Sequence, residues 1–173
     1  MRILHIEDCE SISILIQQIY QDSITVECIT SLAEAKKRLE DGGIDLLLVD
    51  LNLDDSSGLD TIKELEQYNL PIVVLSGVRT PNIVDNAFEM GVDDYIDKQQ
   101  LPKVDLVHRL RNAVERHSRI RKMAGKKLSF GNLDAIKPYI SSYHKDIKYN
   151  VLRSFLYLLR KSLDWGLKSG KIG

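Results

Sequence analysis

The chain has 173 residues, is 43% hydrophobic and 28% charged, and carries a formal net charge of −1. That is enough for one ordinary domain plus an appendage, but no apolar run approaches the ~20 residues that span a bilayer, and the short apolar run of "MRILHIEDCE" meets acid too early for a signal peptide. Two cysteines, Cys9 and Cys28, are too few for a metal or disulfide framework, so a cytoplasmic protein with two buried or half-buried thiols is expected.

The net charge conceals a step. Residues 1–118 hold 11 basic and 22 acidic side chains, and residues 119–173 hold 13 basic and 3 acidic ones. Two functional units are expected, the second meeting an anionic partner or the acidic first unit itself.

In chain order, the first strand is read at 2–6, "RILHI". Ile12, Leu15, Ile16 and Ile19 then recur at helical spacing. A second strand falls at 25–29, followed by a helix through Leu32, Ala35 and Leu39 that "GG" at 42–43 stops. The third strand, 44–49, contains the apolar run Leu46 to Val49 and delivers Asp50 at its tip. "GLDTIKELEQY" is the next helix, "PIVVL" at 71–75 the fourth strand, and "TPNIVDNAFEMG" a helix with Thr80 as N-cap, Pro81 at its first position and Gly91 as its stop. "VDDYI" at 92–96 is the fifth strand. The last helix of this part starts near "LPKVDLVHRL" and meets no stop before Gly125. Val107, Leu110, Val114 and Ile120 form its seam, and about 20 residues at ~1.5 Å each carry it beyond a compact domain. Strands alternating with helices predict an α/β fold, a five-stranded parallel sheet covered on both faces. The continuous apolar runs suit central strands.

Ligands of such sheets gather at the carboxyl ends of the strands. There the chain supplies Glu7 and Asp8, then Asp50, then Ser76, then Lys98. Crowded carboxylates repel one another, and a hard cation such as Mg2+ (or Mn2+) resolves the conflict with oxygen ligands. A carboxylate nucleophile, a cation, a lysine and a hydroxyl are the parts of a phosphoryl-transfer site. Each residue also has a plainer reading: Asp50 as a strand-end cap, Glu7–Asp8 as helix caps, Ser76 as a turn residue, Lys98 as a solvated lysine, Tyr95 as a half-buried core side chain. His5 is read as structural, and His108, His117 and His144 lack metal-ligand spacing.

"HIEDCE" at 5–10, "LLLVDLNLDDSSGLD" at 46–60, "VVLSGV" at 73–78 and "GVDDYIDK" at 91–98 together resemble the receiver domain of bacterial two-component response regulators, over about residues 1–118. The resemblance implies a doubly wound, flavodoxin-like sheet of order 2-1-3-4-5. It implies Asp50 as phosphoacceptor from a sensor histidine kinase or phosphotransfer protein. It implies metal ligation by Asp8, Asp50 and the backbone carbonyl of Asn52, with Glu7 in or near the shell. Lys98 and Ser76 would meet the phosphoryl group, and Tyr95 would act as a switch residue repacking the face at 80–118. Such a domain is not an enzyme in the ordinary sense; it catalyses only its own phosphorylation and dephosphorylation. Gln99 and Asp54 stand where the family usually has proline, and Asn52 and Val78 where it tunes the acyl-phosphate lifetime. A haloacid-dehalogenase-like phosphatase shares the aspartate, serine and lysine, but its nucleophile sits on the first strand with an aspartate two residues on, where this chain has Asn52.

Beyond this part, 119–132 reads as a basic linker continuing the fifth helix, and 133–173 as a small basic helical module, with helices at about 133–144 and 147–164. Seven of the 11 aromatic residues lie after residue 119 among lysines and arginines. Homodimerisation or partner docking through these helices or the 80–118 face, nucleic-acid binding, an autoinhibitory clasp on the acidic domain, and a phosphorelay intermediate with a structural tail are the alternatives.

Overall fold

The computed structural model describes residues 1–19, 24–78 and 80–125; the expected helices and output module beyond residue 125 lie outside the described residues. Five strands form one parallel sheet: β1 (Arg2–Ile6), β2 (Thr25–Ile29), β3 (Leu46–Val49), β6 (Ile72–Ser76) and β7 (Asp94–Asp97). Its spatial order is β2-β1-β3-β6-β7. Counting only these five, that is the expected 2-1-3-4-5. Two short strands, β4 (Asn52–Leu53) and β5 (Ser56–Ser57), add a small antiparallel hairpin that the sequence reading lacked.

The helices are α1 (Glu10–Ile19), α2 (Leu32–Glu40), α3 (Leu59–Leu65), α4 (Pro81–Glu89) and α5 (Leu106–Gly125). Period-two alternation along the strands divides the core between the two sheet faces. Leu4, Leu47, Val49 and Val74 pack with Leu39, Ile62 and Phe88 of the helices on one side. Ile3, Leu46, Leu48, Val73 and Leu75 pack with Ile16, Leu106 and Leu110 on the other. Every residue of β3 and β6 is buried, as strands covered on both faces require.

Local chemistry sets the helix limits. Ser31 caps α2 by accepting from the Glu34 amide. Thr80 occupies the N-cap of α4 and Pro81 follows it, as expected, but the threonine makes no side-chain cap bond. Gly58 precedes α3 at φ 61°, a conformation that glycine alone adopts without strain. Two expectations fail. Leu15 is not part of the buried stripe: α1 turns Ile12 and Ile16 to the sheet and leaves Ile14 and Leu15 exposed. Cys9 is exposed rather than buried, because it lies in the turn before α1.

The long α5 is the third difference. Its distal half does not leave the domain but is fastened to the amino end of the sheet. Arg116 donates to the Asp93 carbonyl, and His117 Nδ1 lies 3.1 Å from Asp93 Oδ2. His117 Nε2 and Arg121 both face the Asn69 carbonyl, at 3.3 and 2.9 Å, and Ile120 is buried. Asp93 also accepts from the Ile72 amide where β6 begins. Burial pushes the Asp93 carboxyl up, against the pull of His117. Asp93→Ala is therefore expected to cost about 2–4 kcal/mol in urea unfolding, because it strips the buried Ile72 amide and the half-buried His117 ring of their acceptor. His117→Ala should cost less, about 1 kcal/mol, since the Ile72 bond survives. Equal losses in the two variants would contradict this division.

Among the described residues no helix is long and apolar enough to cross a membrane.

Candidate functional site

Parallel register brings the strand ends level. Ile6 pairs with Val49, Val49 with Val74, and Ser76 with Asp97. Glu7, Asp8, Asp50, Ser76 and Lys98 therefore emerge at one edge, although 91 positions separate the first from the last. Glu7, Asp8 and Asp50 each offer a carboxylate oxygen, all within 4.8 Å of one another.

Glu7 and Asp50 are buried and Asp8 is half-buried. Lys98 Nζ donates to Asp50 Oδ2 at 2.7 Å and lies 2.6 Å from Glu7 Oε2. The second approach is an equally close ion pair. Burial pulls the Lys98 ammonium down, but its contacts with Asp50 and Glu7 outweigh this and hold it above the usual lysine range. Burial pushes the Glu7 carboxyl up, with Lys98 opposing and Asp50 adding to the push. One lysine thus bridges two buried carboxylates, and Asp50 Oδ1 is left with no hydrogen-bond partner.

This donor set fits a small hard cation. It is all oxygen, it carries more negative charge than one lysine balances, and it keeps an unsatisfied carboxylate oxygen. Two residues after Asp50, the Asn52 backbone is held by pairing: Asn52 pairs with Ser57, and the Gly58 amide donates to the Leu51 carbonyl at 2.6 Å.

Ser76 is fully buried at the end of β6, and its hydroxyl accepts from the Val78 amide at 3.3 Å. Tyr95 is buried on β7, its hydroxyl donating to the Val78 carbonyl. Both side chains therefore hold the loop that leads to α4. Its neighbour Asp94 makes a two-pronged pair with Arg109 of α5, at 2.8 and 2.6 Å. Gln99 follows Lys98 by a trans peptide, the ordinary geometry for a residue other than proline.

Two arrangements near the site were not anticipated from the sequence. One is Asp55, whose carboxylate accepts from the Leu32 and Ala33 amides of α2. The other is His5, assigned only a structural place. It is fully buried on β1, its Nε2 lies 4.0 Å from Glu7 Oε2, and that nitrogen has no hydrogen-bond partner.

Burial, helped by the Lys98 charge and opposed by Asp50, lowers the His5 pKa to about 4. A lowered folded-state pKa means the unfolded chain takes up a proton near pH 6.5 that the folded chain refuses until about pH 4. Stability from this group is complete above that window and lost as pH falls through it. A drop of about 2 kcal/mol between pH 7 and 5 is expected from His5 alone. Glu7, with its raised pKa, acts in the opposite direction above its ordinary carboxylate range. Urea unfolding at both pH values isolates His5: the His5→Leu variant should be less acid-sensitive than the parent chain. An unchanged difference would contradict the assignment.

Residues 3–111 match the response regulator receiver domain family. Among curated proteins, the chain is 28% identical over 119 residues to the uncharacterized transcriptional regulatory protein YclJ of Bacillus subtilis (strain 168), covering 68% of this chain and 52% of that protein. It is 37% identical over 75 residues to the KDP operon transcriptional regulatory protein KdpE of Escherichia coli (strain K12), covering 43% and 33%. The chain thus spans about half or less of the length of these relatives. Among solved structures, the BeF3-activated N-terminal receiver domain of Klebsiella pneumoniae RstA matches with a TM-score of 0.61 and 27% identity, over 66% of this chain and 98% of that one. The phosphatase alternative falls with this match and with the third-strand position of Asp50. The acidic edge, the strand order and the matched span agree: the chain belongs to the receiver-domain family of two-component response regulators.

Proposed function

We propose that Asp50 is the phosphoacceptor of this chain, taking a phosphoryl group from the phosphohistidine of a sensor histidine kinase or phosphotransfer protein. The observation that carries this reading is the buried cluster of Glu7, Asp8 and Asp50, bridged by Lys98, with Asp50 Oδ1 unpartnered.

In the transfer, an Asp50 carboxylate oxygen forms a bond to phosphorus as the phosphorus–nitrogen bond of the donor breaks. The electron pair leaves with the imidazole. Asp8, Asp50 and the Asn52 carbonyl would hold Mg2+ or Mn2+, with Glu7 in or near the shell. When bound, that ion supplies charge neutralisation to the transferring oxygens. Lys98 meets a phosphoryl oxygen once it exchanges its carboxylate contact for it, and Ser76 donates its hydroxyl to another. Ser76 now accepts from Val78, and Tyr95 holds the carbonyl of the same residue. A phosphoryl group that recruits Ser76 therefore pulls on the loop between β6 and α4, and Tyr95 follows as the switch residue. Hydrolysis of the acyl phosphate at the same site returns the chain to its starting state.

The repacked face at 80–118 is the surface that a homodimer or output partner would read. The receiver, expected over residues 1–118, also takes in the α5 contacts of Ile120 and Arg121; the rest of the expected 119–132 stretch acts as a basic linker, and 133–173 as a small basic output or dimerisation module. Its partner is a second copy, a docking protein or nucleic acid; the transcriptional regulators among the relatives give the last its support. The test is incubation of the full chain with Mg2+ and a small phosphodonor, followed by intact mass measurement. A phosphoryl adduct that alkali and hydroxylamine both remove, as they do an acyl phosphate, is expected on Asp50. No adduct, or one on another residue, overturns the assignment.

A further inference from the structure

The loop that follows Asp50 lacks the proline that the resemblance led us to expect, and Asp54 stands in its place. The hairpin of β4 and β5 explains what that position does. Leu53 pairs with Ser56, so Asp54 and Asp55 are the two residues of its turn. Neither has a positive φ, since Asn69 is the non-glycine residue that does among those described. The first position of such a turn favours proline, whose ring fixes the required φ. Asp54 is exposed and supplies no such restraint.

The restraint comes from the next residue. Asp55 Oδ1 accepts from the Leu32 amide at 2.9 Å, and Asp55 Oδ2 accepts from the Ala33 amide at 2.9 Å. Together with Ser31, which accepts from the Glu34 amide, it satisfies the first three amides of α2. The Leu32 amide, followed by the Ala33 amide, holds the Asp55 carboxyl below the usual range, so it is charged at neutral pH. Charge-assisted bonds at a helix N-terminus are stronger than neutral ones. Within the loop, Ser56 and Thr61 share a hydroxyl bond at 2.7 Å. The turn is thus tied at one end to α3 and at its tip to α2, and the Asn52 carbonyl lies between Asp50 and that tip.

We infer that Asp55 is a positioning residue for the phosphoacceptor site: by clamping the turn to the N-terminus of α2, it holds the Asn52 carbonyl where the cation needs it and replaces the stiffness of the absent proline. This rests on the phosphoacceptor reading above. It makes Asp54 tolerable and Asp55 indispensable, the reverse of what a search for proline would suggest.

The test compares Asp55→Ala, the double variant Asp54→Pro/Asp55→Ala, and Ser31→Ala in the full chain. Mg2+ binding is read by calorimetry, and the initial rate of phosphorylation by a small phosphodonor is read alongside. Asp55→Ala is expected to weaken Mg2+ binding about tenfold, the scale of losing a group that orients a metal ligand. Asp54→Pro should restore most of that affinity, because a turn-compatible proline stiffens the loop without touching α2. Ser31→Ala removes a cap from the same helix end but leaves the loop alone, so it should lower the melting temperature with Mg2+ affinity unchanged. Parental affinity in Asp55→Ala, failure of Asp54→Pro to rescue, or an equal loss in Ser31→Ala would each overturn the inference. If the parent chain itself binds no Mg2+, the phosphoacceptor reading falls and takes this inference with it.

Discussion

Asp50→Asn is expected to abolish phosphorylation by both a kinase and a small phosphodonor, with no measurable residual adduct, while the chain stays folded. The amide cannot form the acyl phosphate, and no other carboxylate at the edge matches its position. Asp8 is half-buried at the start of the loop before α1, and Glu7 is already committed to Lys98. The fold should tolerate the change because Lys98 keeps Glu7 as its partner, and because one of two repelling buried carboxylates is gone. Intact mass measurement after phosphodonor treatment reads the first effect, and a melting curve the second. Any measurable residual phosphorylation would mean that another residue accepts the group.

Lys98→Ala should have the largest effect on stability. The Lys98 side chain is 17% exposed, and its two partners, Glu7 and Asp50, are 0% and 6% exposed. Without it two buried carboxylates face each other with no cation. Breaking a buried pair from one side costs about 3–5 kcal/mol, much of it the penalty of the charge left behind. Part of that cost will be relieved by protonation of Glu7, whose pKa burial already pushes up. Mg2+ should relieve it further, since ligand binding to the folded state adds about 2.7 kcal/mol at a hundredfold excess over Kd. The variant is therefore expected to gain more from Mg2+ than the parent does, while its phosphorylation rate falls by about a hundredfold. Urea unfolding with and without Mg2+ checks the first statement. An equal Mg2+ stabilisation in both chains would show that lysine and cation do not share the same negative site.

These two variants differ in a way that tests the electrostatic account. Asp50→Asn lowers the negative charge of the edge and Lys98→Ala raises it. The first should weaken Mg2+ binding and leave stability near the parental value, and the second should do the opposite on stability.

Much of this protein was legible in its sequence because burial leaves a local signature. Four consecutive apolar residues at 46–49 read as a strand covered on both faces, and all four are buried. Alternation of strands and helices implied a parallel sheet, and a parallel sheet gathers its strand ends. Glu7, Asp8, Asp50 and Lys98 could therefore be placed together before any distance was known. Gly58 and Pro81 mark helix starts through backbone restrictions that belong to the residue itself. The site's charge conflict was equally readable, since carboxylates at neighbouring strand ends repel whatever surrounds them.

Tertiary structure alone decided how that conflict is contained. Asp55 reaches α2 across 22 to 23 positions, His117 reaches Asp93 across 24, and Arg121 reaches Asn69 across 52. Nothing in the periodicity around those residues marks the contact, because a hydrogen bond between distant segments depends on how two elements pack and not on the pattern of either. The same holds for Leu15, whose spacing suits a buried stripe but which α1 leaves exposed while Ile12 and Ile16 face the sheet. It holds for His5, where one buried histidine looks like any core residue until the Glu7 carboxylate is found beside it. Sequence sets which residues are buried and which end of the sheet carries the acid. Packing sets which of those acids a lysine, a helix end or a cation must hold, because charge and hydrogen-bond satisfaction are settled between elements rather than within them.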